Sequence, residues 1–214
     1  MKTRAAIAYE VNQPVAIEDI EVDSPRQGEV LVKVAASGVC HSDLSVVEGI
    51  QVHRLPEVLG HEGAGEVVEV GEGVNSVAVG DRVVLSFVPS CGKCSYCSTG
   101  KPNLCAAHFG GPRGTLMDGS CRFHAAGRDF FQMSRLGTMA EYTTVPEDAV
   151  ILLQRDIAPE QAALIGCAVT TGVGAAINTA KVRAGERVAI IGAGGVGLNV
   201  IQGAVLAGAE KIIA

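Results

Sequence analysis

A strand, a glycine-rich loop, a helix and a second strand follow one another at the C-terminal end of the sequence. The apolar run Arg187–Ile191 predicts the first strand, Gly195–Ala207 predicts a helix, and Lys211–Ala214 predicts the start of the second strand. Strands joined through a helix lie parallel in one sheet, and a parallel sheet needs helices on both faces. The sequence therefore predicts the beginning of a doubly wound parallel sheet, and we expect the natural protein to continue beyond Ala214.

The loop between that strand and the helix has the pattern G-x-G-x-x-G. Gly192 is expected to form the tight turn, Gly194 to admit a pyrophosphate, and Gly197 to let helix and strand pack closely. The helix N-terminus supplies amide donors and a positive dipole to phosphates. The acidic residue that distinguishes NAD from NADP would lie beyond the last residue. The alternative is a glycine-rich helix start without a ligand. The predicted cofactor contacts are Gly192, Gly194, Gly195, Val196 and Gly197.

Short strands separated by turn residues make up most of the chain before that unit. The runs that predict them are Arg4–Tyr9, Val15–Val22, Glu29–Ala36, Glu66–Val70, Arg82–Ser86, Ala140–Val145 and Val150–Leu153. The 27 glycines indicate frequent turns, which favours a β-barrel or sandwich. Helices are predicted at Pro159–Gly166 and Ala168–Ala180. We place the domain boundary near Leu153, with domains at residues 1–153 and 154–214.

Four cysteines follow the pattern C-x2-C-x2-C-x7-C in a loop at about residues 89–108. The surrounding stretch, from Pro89 to about Arg135, shows little periodicity, and so long an irregular segment needs a functional reason. Four thiolates complete a tetrahedral shell without an open position, so zinc bound there would be structural. An iron–sulfur cluster and plain thiols are the alternatives. The predicted ligands are Cys91, Cys94, Cys97 and Cys105.

A second candidate metal site is dispersed along the chain at Cys40, His61 and Cys167. Two thiolates and one imidazole leave a fourth position open for water or a substrate oxygen, which is the arrangement of a catalytic zinc. Asp43 is expected to orient the imidazole of His61, and Glu62 adjoins that ligand. Spacing alone does not bring the three together, because more than 100 residues separate His61 from Cys167. Each residue taken singly is also explained as a buried core residue.

Charge and hydropathy exclude several classes of partner. The formal net charge of -6 argues against nucleic acid. The N-terminal segment lacks the apolar run of a signal peptide, and no stretch approaches the ~18 consecutive apolar residues of a membrane span. Seven cysteines in such a chain indicate metal ligands or reactive thiols rather than disulfides. We therefore expect a cytoplasmic protein with no nucleic-acid or membrane partner.

The motifs occur in the order found in zinc-dependent alcohol dehydrogenases of the medium-chain dehydrogenase/reductase family. The sequence resembles that family from its first strand to its last residue. It is most similar to the branch that contains the liver-type enzymes and the glutathione-dependent formaldehyde dehydrogenases. The segments that carry the resemblance are CHSD from Cys40, Gly60-His61-Glu62 with Gly65, Gly71 and Val74, GTLMDGSCRF from Gly114, LGTMAEYTTVPEDAV from Leu136, CAVTTG from Cys167 and GAGGVG from Gly192.

The resemblance implies a chaperonin-10-like, β-rich catalytic domain followed by a Rossmann domain, with one catalytic and one structural zinc ion per chain. It also implies reversible oxidation of a primary alcohol to an aldehyde, with hydride transfer to NAD or NADP. Ser42 matches the hydroxyl that receives the alcohol proton, and Phe87 matches a residue that lines the substrate pocket. His41 matches a contact to the cofactor pyrophosphate, and Thr171 a position near the nicotinamide. For the full-length parent, the resemblance implies a homodimer or homotetramer.

The sequence departs from the family pattern in one position that bears on the chemistry. Ser45 stands where many relatives have a histidine that passes the proton to solvent, which puts the outer proton relay in doubt. His53, expected at the surface, is the nearest substitute.

The runner-up activity is oxidation of formaldehyde as a thiol adduct, which needs a basic anion site, and Arg113 lies in the corresponding loop. The other alternative is that this chain alone is a zinc-binding fragment with little activity, because half of the nucleotide domain is absent.

Overall fold

The computed structural model of the chain describes residues 1–109 and 112–214. These residues separate into two compact units, Met1–Ala163 and Leu164–Ala214. Within the described residues, the first unit contains a closed five-stranded barrel and a five-stranded sheet, and the second contains a two-stranded parallel sheet with helices. The predicted fold class, a β-rich domain followed by the start of a parallel α/β sheet, is confirmed.

The described residues form strands, α-helices and short helical turns. The strands are β1 Lys2–Ala8, β2 Ala16–Val22, β3 Glu29–Ser37, β4 Glu57–Val58, β5 Gly63–Val70, β6 Arg82–Leu85, β7 Phe123–Ala125, β8 Arg128–Gln132, β9 Tyr142–Pro146, β10 Val150–Leu152, β11 Arg187–Ala189 and β12 Lys211–Ile213. The α-helices are α1 His41–Val47, α2 Ser95–Ser98, α3 Ala106–Phe109, α4 Pro159–Ala163, α5 Ala168–Gly174 and α6 Gly195–Leu206. Turns of 3-10 helix lie at Pro102–Leu104, Met133–Arg135, Glu147–Ala149 and Leu164–Gly166, and a π-helical turn at Ala175–Thr179.

The barrel closes in the order β1-β2-β7-β8-β4. Strand β1 is antiparallel to both β2 and β4, and β4 closes the barrel by running parallel to β8. Its interior is filled by large apolar side chains that are at most 2% exposed, namely Ile7, Ile20, Val22, Phe123 and Phe130. Burial of side chains of this size stabilises the fold by roughly 1.5–3 kcal/mol each.

The prediction of an irregular stretch from Pro89 to about Arg135 is wrong for its second half, which contains β7 and β8. These strands form a hairpin whose turn residues, Ala126 and Gly127, have φ of +48° and +76°. Two consecutive positive φ values suit a tight hairpin turn. The strands are short, and the pairing of β7 with β2 joins segments far apart in sequence, so local periodicity does not reveal them.

The second sheet of the first unit has the order β10-β6-β5-β3-β9 and carries the segments that build the candidate site. Its core is formed by Val30, Val32, Val67, Leu85 and Val145. Strands β3 and β5 are antiparallel neighbours, so the loop that follows β3 and the loop that precedes β5 meet at one edge of the sheet. Helix α4 packs against β3 and β5 and therefore belongs to this unit, whereas the predicted domain boundary lies before it, near Leu153.

A buried ion pair joins the barrel to the five-stranded sheet in the first unit. Arg122, which is fully buried, precedes β7 of the barrel, and Glu29 begins β3 of the sheet. Arg122 donates hydrogen bonds from Nε to Glu29 Oε2 at 2.9 Å and from Nη2 to Glu29 Oε1 at 2.5 Å. Two parallel hydrogen bonds of this kind fix both partners in orientation as well as in distance.

The second unit contains the strand–helix–strand arrangement that the sequence predicts. Strands β11 and β12 are parallel, with Arg187 opposite Lys211, and α6 connects them. The predicted helix Ala168–Ala180 is found as α5 followed by the π-helical turn. In the part of the chain that the structure describes, no single helix is long and apolar enough to cross a membrane; only the pair Pro159–Gly166 and Ala168–Thr179, counted together, meets the length and composition criterion.

Candidate active site

The four-cysteine loop brings its sulfur atoms into one cluster. The Sγ atoms of Cys91, Cys94, Cys97 and Cys105 all lie within 4.8 Å of one another. Cys94 Sγ is 3.5 Å from Cys97 Sγ and 4.0 Å from Cys105 Sγ. Tetrahedral zinc, with Zn–S bonds of about 2.3 Å, separates its sulfurs by about 3.8 Å. The chemistry and the spacing of this donor set therefore fit a zinc ion.

The thiols of this loop differ in how readily they ionise. Hydrogen bonds from the backbone N–H groups of Cys97 and Ala106 lower the pKa of Cys94 to about 6. Burial, reinforced by the hydrogen bond to Cys94, raises the pKa of Cys97 to about 12. Like charges so close together cannot all form without compensation. Cys105 is buried, but hydrogen bonds from backbone N–H groups, including that of Cys91, outweigh the burial and lower its pKa as well. The loop thus offers readily formed thiolates at Cys94 and Cys105 and needs a cation to hold all four.

A second cluster of donors lies in the first unit where the loop after β3 meets the loop before β5. Cys40 immediately precedes α1, and His61 and Glu62 immediately precede β5. The ligand atoms of these three residues lie within 4.8 Å of one another. Glu62 comes so close to the neighbouring loop because Gly38 has no side chain: a Cβ atom there would lie 2.2 Å from Glu62 Oε2. The carboxylate of Glu62, placed beside the ligands by sequence reasoning, is therefore itself within the donor set.

Asp43 connects the two loops that carry this cluster, and its side chain is almost fully buried. Its Oδ2 atom accepts a hydrogen bond from the backbone N–H of Cys40 at 2.8 Å. Its Oδ1 atom accepts a hydrogen bond from the backbone N–H of Gly60 at 3.0 Å and lies 3.4 Å from His61 Nδ1. The carboxylate of Asp43 therefore orients the main chain at Cys40 and just before His61, and it also lies beside the imidazole of His61.

The other residues that were predicted around the cluster lie at α1 and after β6. Ser42 is half-buried, and its Oγ atom is 3.7 Å from Cys40 Sγ. The ring of Phe87 is edge-on to the imidazole of His61, with 5.6 Å between the ring centroids. His41 is exposed at the first position of α1. Ser42 and Phe87 are therefore close neighbours of the donor set.

His53, which the sequence analysis expects at the surface, is largely buried. Its side chain is 14% exposed, and its Nδ1 atom is 2.8 Å from Glu57 Oε2. Burial raises the pKa of Glu57, and the neighbouring His53 opposes that rise. Sequence reasoning did not find Glu57. The signal that could have revealed it is a single carboxylate within the apolar segment LPEVLG, because a charged side chain buried in a strand needs a partner.

The glycine loop of the second unit has the geometry that its pattern predicts. Gly192 has φ of +99°, a conformation that side chains disfavour. A Cβ atom on Gly197 would lie 1.8 Å from the carbonyl oxygen of Gly192, so the loop closes tightly on the first turn of α6. Around Gly194 and Gly195 no protein atom would meet a Cβ within 4 Å among the described residues. The backbone there is open to a ligand, and Val196 beside it is 43% exposed.

Cys167 and Thr171 both belong to the second unit, at the beginning of α5. Cys167 caps the N-terminus of this helix, and its carbonyl accepts a hydrogen bond from the N–H of Thr171 at 2.9 Å. The Thr171 side chain is on an exposed position of the helix. The roles assigned to these two residues, in metal binding and near the nicotinamide, stay predictions.

Known proteins resemble the chain over its whole length. It is 46% identical over 214 residues to an NDMA-dependent alcohol dehydrogenase of Amycolatopsis methanolica, and 48% identical over 216 residues to an S-(hydroxymethyl)glutathione dehydrogenase of Synechocystis. Both alignments cover 100% of this chain and 58% of the relative, so the chain spans little more than half the length of these curated relatives.

Solved structures and family comparison agree with these relatives. The crystal structure of an alcohol dehydrogenase zinc-binding domain protein from Burkholderia ambifaria superposes with a TM-score of 0.90 at 38% identity, covering 99% of this chain and 58% of that one. Residues 26–155, which include the four-cysteine loop and the donor set around His61, match the alcohol dehydrogenase GroES-like domain. On this match, the chain belongs to the family of alcohol dehydrogenases with a GroES-like domain.

Proposed function

We propose that the whole protein is a zinc-dependent, NAD(P)-linked alcohol dehydrogenase that converts a primary alcohol reversibly to an aldehyde. The observation that carries this proposal is the donor set of Cys40, His61 and Glu62, whose ligand atoms lie within 4.8 Å of one another beside Ser42 and Phe87. Membership of the family and the alcohol dehydrogenase names of its relatives support the same reaction.

The proposal includes two zinc ions per chain. The four cysteines of the loop would hold a structural ion, since their closed shell leaves no position for substrate. Cys40 and His61 would hold the catalytic ion, with Cys167 of the second unit as the third protein ligand. The chemistry that zinc supplies at such a site is polarisation of an alcohol oxygen. The thiolate, imidazole and carboxylate donors in the first unit are the types that zinc prefers.

Three further residues of the chain take part in the proposed reaction. The hydroxyl of Ser42 receives the proton of the alcohol, and Asp43 keeps Cys40 and His61 in place through its hydrogen bonds. Phe87, packed edge-on against His61, borders the space in which the substrate lies.

The cofactor contacts belong to the second unit and to α1. The open backbone of the loop from Gly192 to Gly197, together with the N-terminus of α6, accepts the pyrophosphate of NAD or NADP. His41 adds a contact to the pyrophosphate, and Thr171 lies near the nicotinamide. The partner that this architecture requires is a small alcohol or aldehyde, and the parent protein assembles as a homodimer or homotetramer.

Oxidation of formaldehyde as a thiol adduct is the second candidate activity. The relative from Synechocystis, named S-(hydroxymethyl)glutathione dehydrogenase, supports it at 48% identity. Turnover of formaldehyde by the full-length protein, with and without added thiol, separates the two activities. A rate that needs the thiol supports the adduct, and equal rates exclude it.

The test of the main proposal combines metal content with turnover. We expect two zinc ions per chain in the purified protein by elemental analysis, and NAD-dependent oxidation of benzyl alcohol by the full-length protein. Cys40→Ser should lose one zinc ion and the activity together, while retaining the zinc of the four-cysteine loop. Oxidation at the unchanged rate by Cys40→Ser would refute the proposed site. The 214-residue chain alone is expected to keep both ions and to bind NAD weakly.

A further inference from the structure

Two glycines, Gly60 and Gly63, flank His61 and Glu62 of the candidate metal site, and one side chain fills the space that both glycines leave. A Cβ atom on Gly60 would lie 2.5 Å from Thr138 Oγ1, and one on Gly63 would lie 2.6 Å from Thr138 Cγ2. Neither distance leaves room for a Cβ atom. Thr138 therefore presents its hydroxyl to the residue before the pair and its methyl group to the residue after it.

The hydroxyl of Thr138 connects the end of β3 to the main chain at Glu62. Thr138 is 1% exposed, and its Oγ1 atom lies 2.8 Å from Ser37 Oγ and donates to the carbonyl oxygen of Glu62 at 3.4 Å. A threonine hydroxyl has one proton, so the hydroxyl that donates to Glu62 accepts from Ser37. Ser37 is the last residue of β3 and is paired with Gly63 of β5. The hydrogen bonds of Thr138 thus bridge the two strands where they meet the donor set.

The main chain of Thr138 holds the peptide that precedes His61. Its N–H donates to the carbonyl oxygen of Gly60 at 3.0 Å, while the N–H of Gly60 donates to Asp43 Oδ1 at 3.0 Å. Gly60 has φ of +96°, a conformation that side chains disfavour. Gly60 is therefore held through both its N–H and its carbonyl group, by Asp43 and by Thr138.

Glu62 is held in a similar way after the imidazole. Its carbonyl oxygen accepts a hydrogen bond from the N–H of Gly38 at 2.9 Å as well as the one from the Thr138 hydroxyl. The Gly38 position is also the one at which a Cβ atom would lie 2.2 Å from Glu62 Oε2. A displacement of Thr138 would therefore move the main chain on both sides of His61, and the carboxylate of Glu62 with it.

We propose that Thr138 is a positioning residue of the candidate metal site, which fixes His61 and Glu62 for the ion through contacts on both sides of the pair. The inference rests on the proposed dehydrogenase function, because the ion that this pair would hold is the catalytic one. Threonine carries a hydroxyl and a methyl group on one Cβ atom. Serine lacks the methyl group and valine lacks the hydroxyl, so each replacement tests one of the two contacts.

The test measures cobalt binding by the full-length protein. The visible absorption bands of cobalt depend on the geometry of its ligands, and the bands that Cys40→Ser lacks report on the ion at Cys40 and His61. Thr138→Val should weaken cobalt binding at this site by about 10–100-fold in a chelator competition and should shift these bands. Thr138→Ser, which keeps the hydroxyl, should bring both measurements back close to wild type.

Thr144→Val is the matched control for the loss of a buried hydroxyl. Thr144 is fully buried, and its Oγ1 atom donates to the carbonyl oxygen of Asp23 at 2.7 Å. Urea unfolding should show that this variant and Thr138→Val are both less stable than wild type, because each loses a buried hydrogen bond. Cobalt affinity should fall only in Thr138→Val. Equal weakening in the two variants would overturn the proposal, since the loss would then reflect stability alone.

The methyl contact is tested from the side of Gly63. Gly63→Ala is expected to weaken cobalt binding, because the new Cβ atom would meet the methyl group of Thr138. The same substitution should weaken binding less when Thr138→Ser has removed that methyl group. Additive effects of the two substitutions would overturn the contact on which the proposal depends.

Two further outcomes separate the positioning role from the function on which it rests. Cobalt affinity and absorption bands of Thr138→Val that coincide with wild type would overturn the role of Thr138 and leave the dehydrogenase intact. Wild-type protein whose cobalt bands are all retained in Cys40→Ser would instead refute the proposed catalytic site, and the positioning role with it.

Discussion

Asp43 accepts a hydrogen bond from the backbone N–H of Gly60 at 3.0 Å. The same carboxylate accepts a second one, at 2.8 Å, from the N–H of Cys40. The loops that carry Cys40 and His61 are therefore held together by the protein itself, through a group that is not among the proposed ligands. The hydrogen bonds of Asp43 thus connect this part of the candidate catalytic site through protein groups alone, whereas four thiolates in one loop need a cation to offset their charge.

Replacement of Asp43 by asparagine is expected to weaken metal binding at Cys40 and His61 by about 10–100-fold. The amide presents an NH₂ group where the carboxylate now accepts hydrogen bonds, so one buried N–H loses its acceptor. That loss should lower the free energy of unfolding by about 1–3 kcal/mol. A competitive chelator titration and urea unfolding measure the two effects. Asp19→Asn, on an exposed position of β2, is the control, and a chelator titration that coincides with wild type would contradict the orienting role of Asp43.

Replacement of Cys97 by serine should remove one zinc ion per chain and loosen the loop at residues 89–108. The remaining three sulfurs cannot complete the tetrahedral shell that closes a structural site. Elemental analysis counts the ions, and limited proteolysis followed by mass spectrometry locates the loosened segment. Cys121→Ser supplies the matched control, since Cys121 is a buried free cysteine outside both clusters. Two zinc ions in Cys97→Ser would show that the loop is not the site.

Stability should depend on pH through Glu57, whose pKa burial raises above its ordinary value of 4.5. A carboxyl group with a raised folded-state pKa contributes stability that is fully present below the unfolded value and is lost as the pH rises through the folded value. Glu57→Gln stays neutral and should not show this loss. The melting temperature of the variant relative to wild type should therefore rise between pH 4 and pH 8. A constant difference across that range would show that Glu57 does not titrate in the folded protein.

Two glycines in the nucleotide loop should respond in opposite ways to the same substitution. Gly197→Ala places a Cβ atom 1.8 Å from the carbonyl oxygen of Gly192, so the backbone must move, at a cost of roughly 1–3 kcal/mol. Gly195→Ala meets no protein atom within 4 Å and should stabilise the start of α6 by about 0.4–1 kcal/mol. Thermal unfolding followed by circular dichroism ranks the two variants. Equal melting temperatures would contradict the tight closure of the loop.

The strands of the first unit were predictable from sequence where their patterns are local. The run from Glu29 and the run from Arg82 begin where β3 and β6 begin, because apolar side chains cluster there between turn residues. The hairpin of β7 and β8 was not predictable, because its pairing with β2 depends on contacts across a long sequence separation. The buried pair of Arg122 and Glu29 left no local signal either, since each charge alone is typical of a surface.

The candidate site, too, has features that local sequence patterns reveal and features that depend on long-range contacts. The chemistry of Cys40, His61 and the four-cysteine loop was readable because few other residue types serve as zinc ligands. The proximity of Cys40 to His61 and Glu62 needed the meeting of two loops at the end of two strands, and the contact of Phe87 with His61 needed the folded sheet.

The four-cysteine loop lies within the segment that leaves the sheet after β6 and enters the barrel at β7. The bond between Arg122 and Glu29 joins the barrel to the sheet at the end of that segment. Both ends of this excursion are anchored on strands, and Asp118 within it accepts a hydrogen bond from Arg122 Nη2 at 2.8 Å. The segment between β6 and β7 is thus an excursion from the strands, and its four-cysteine cluster has the spacing that fits a zinc ion.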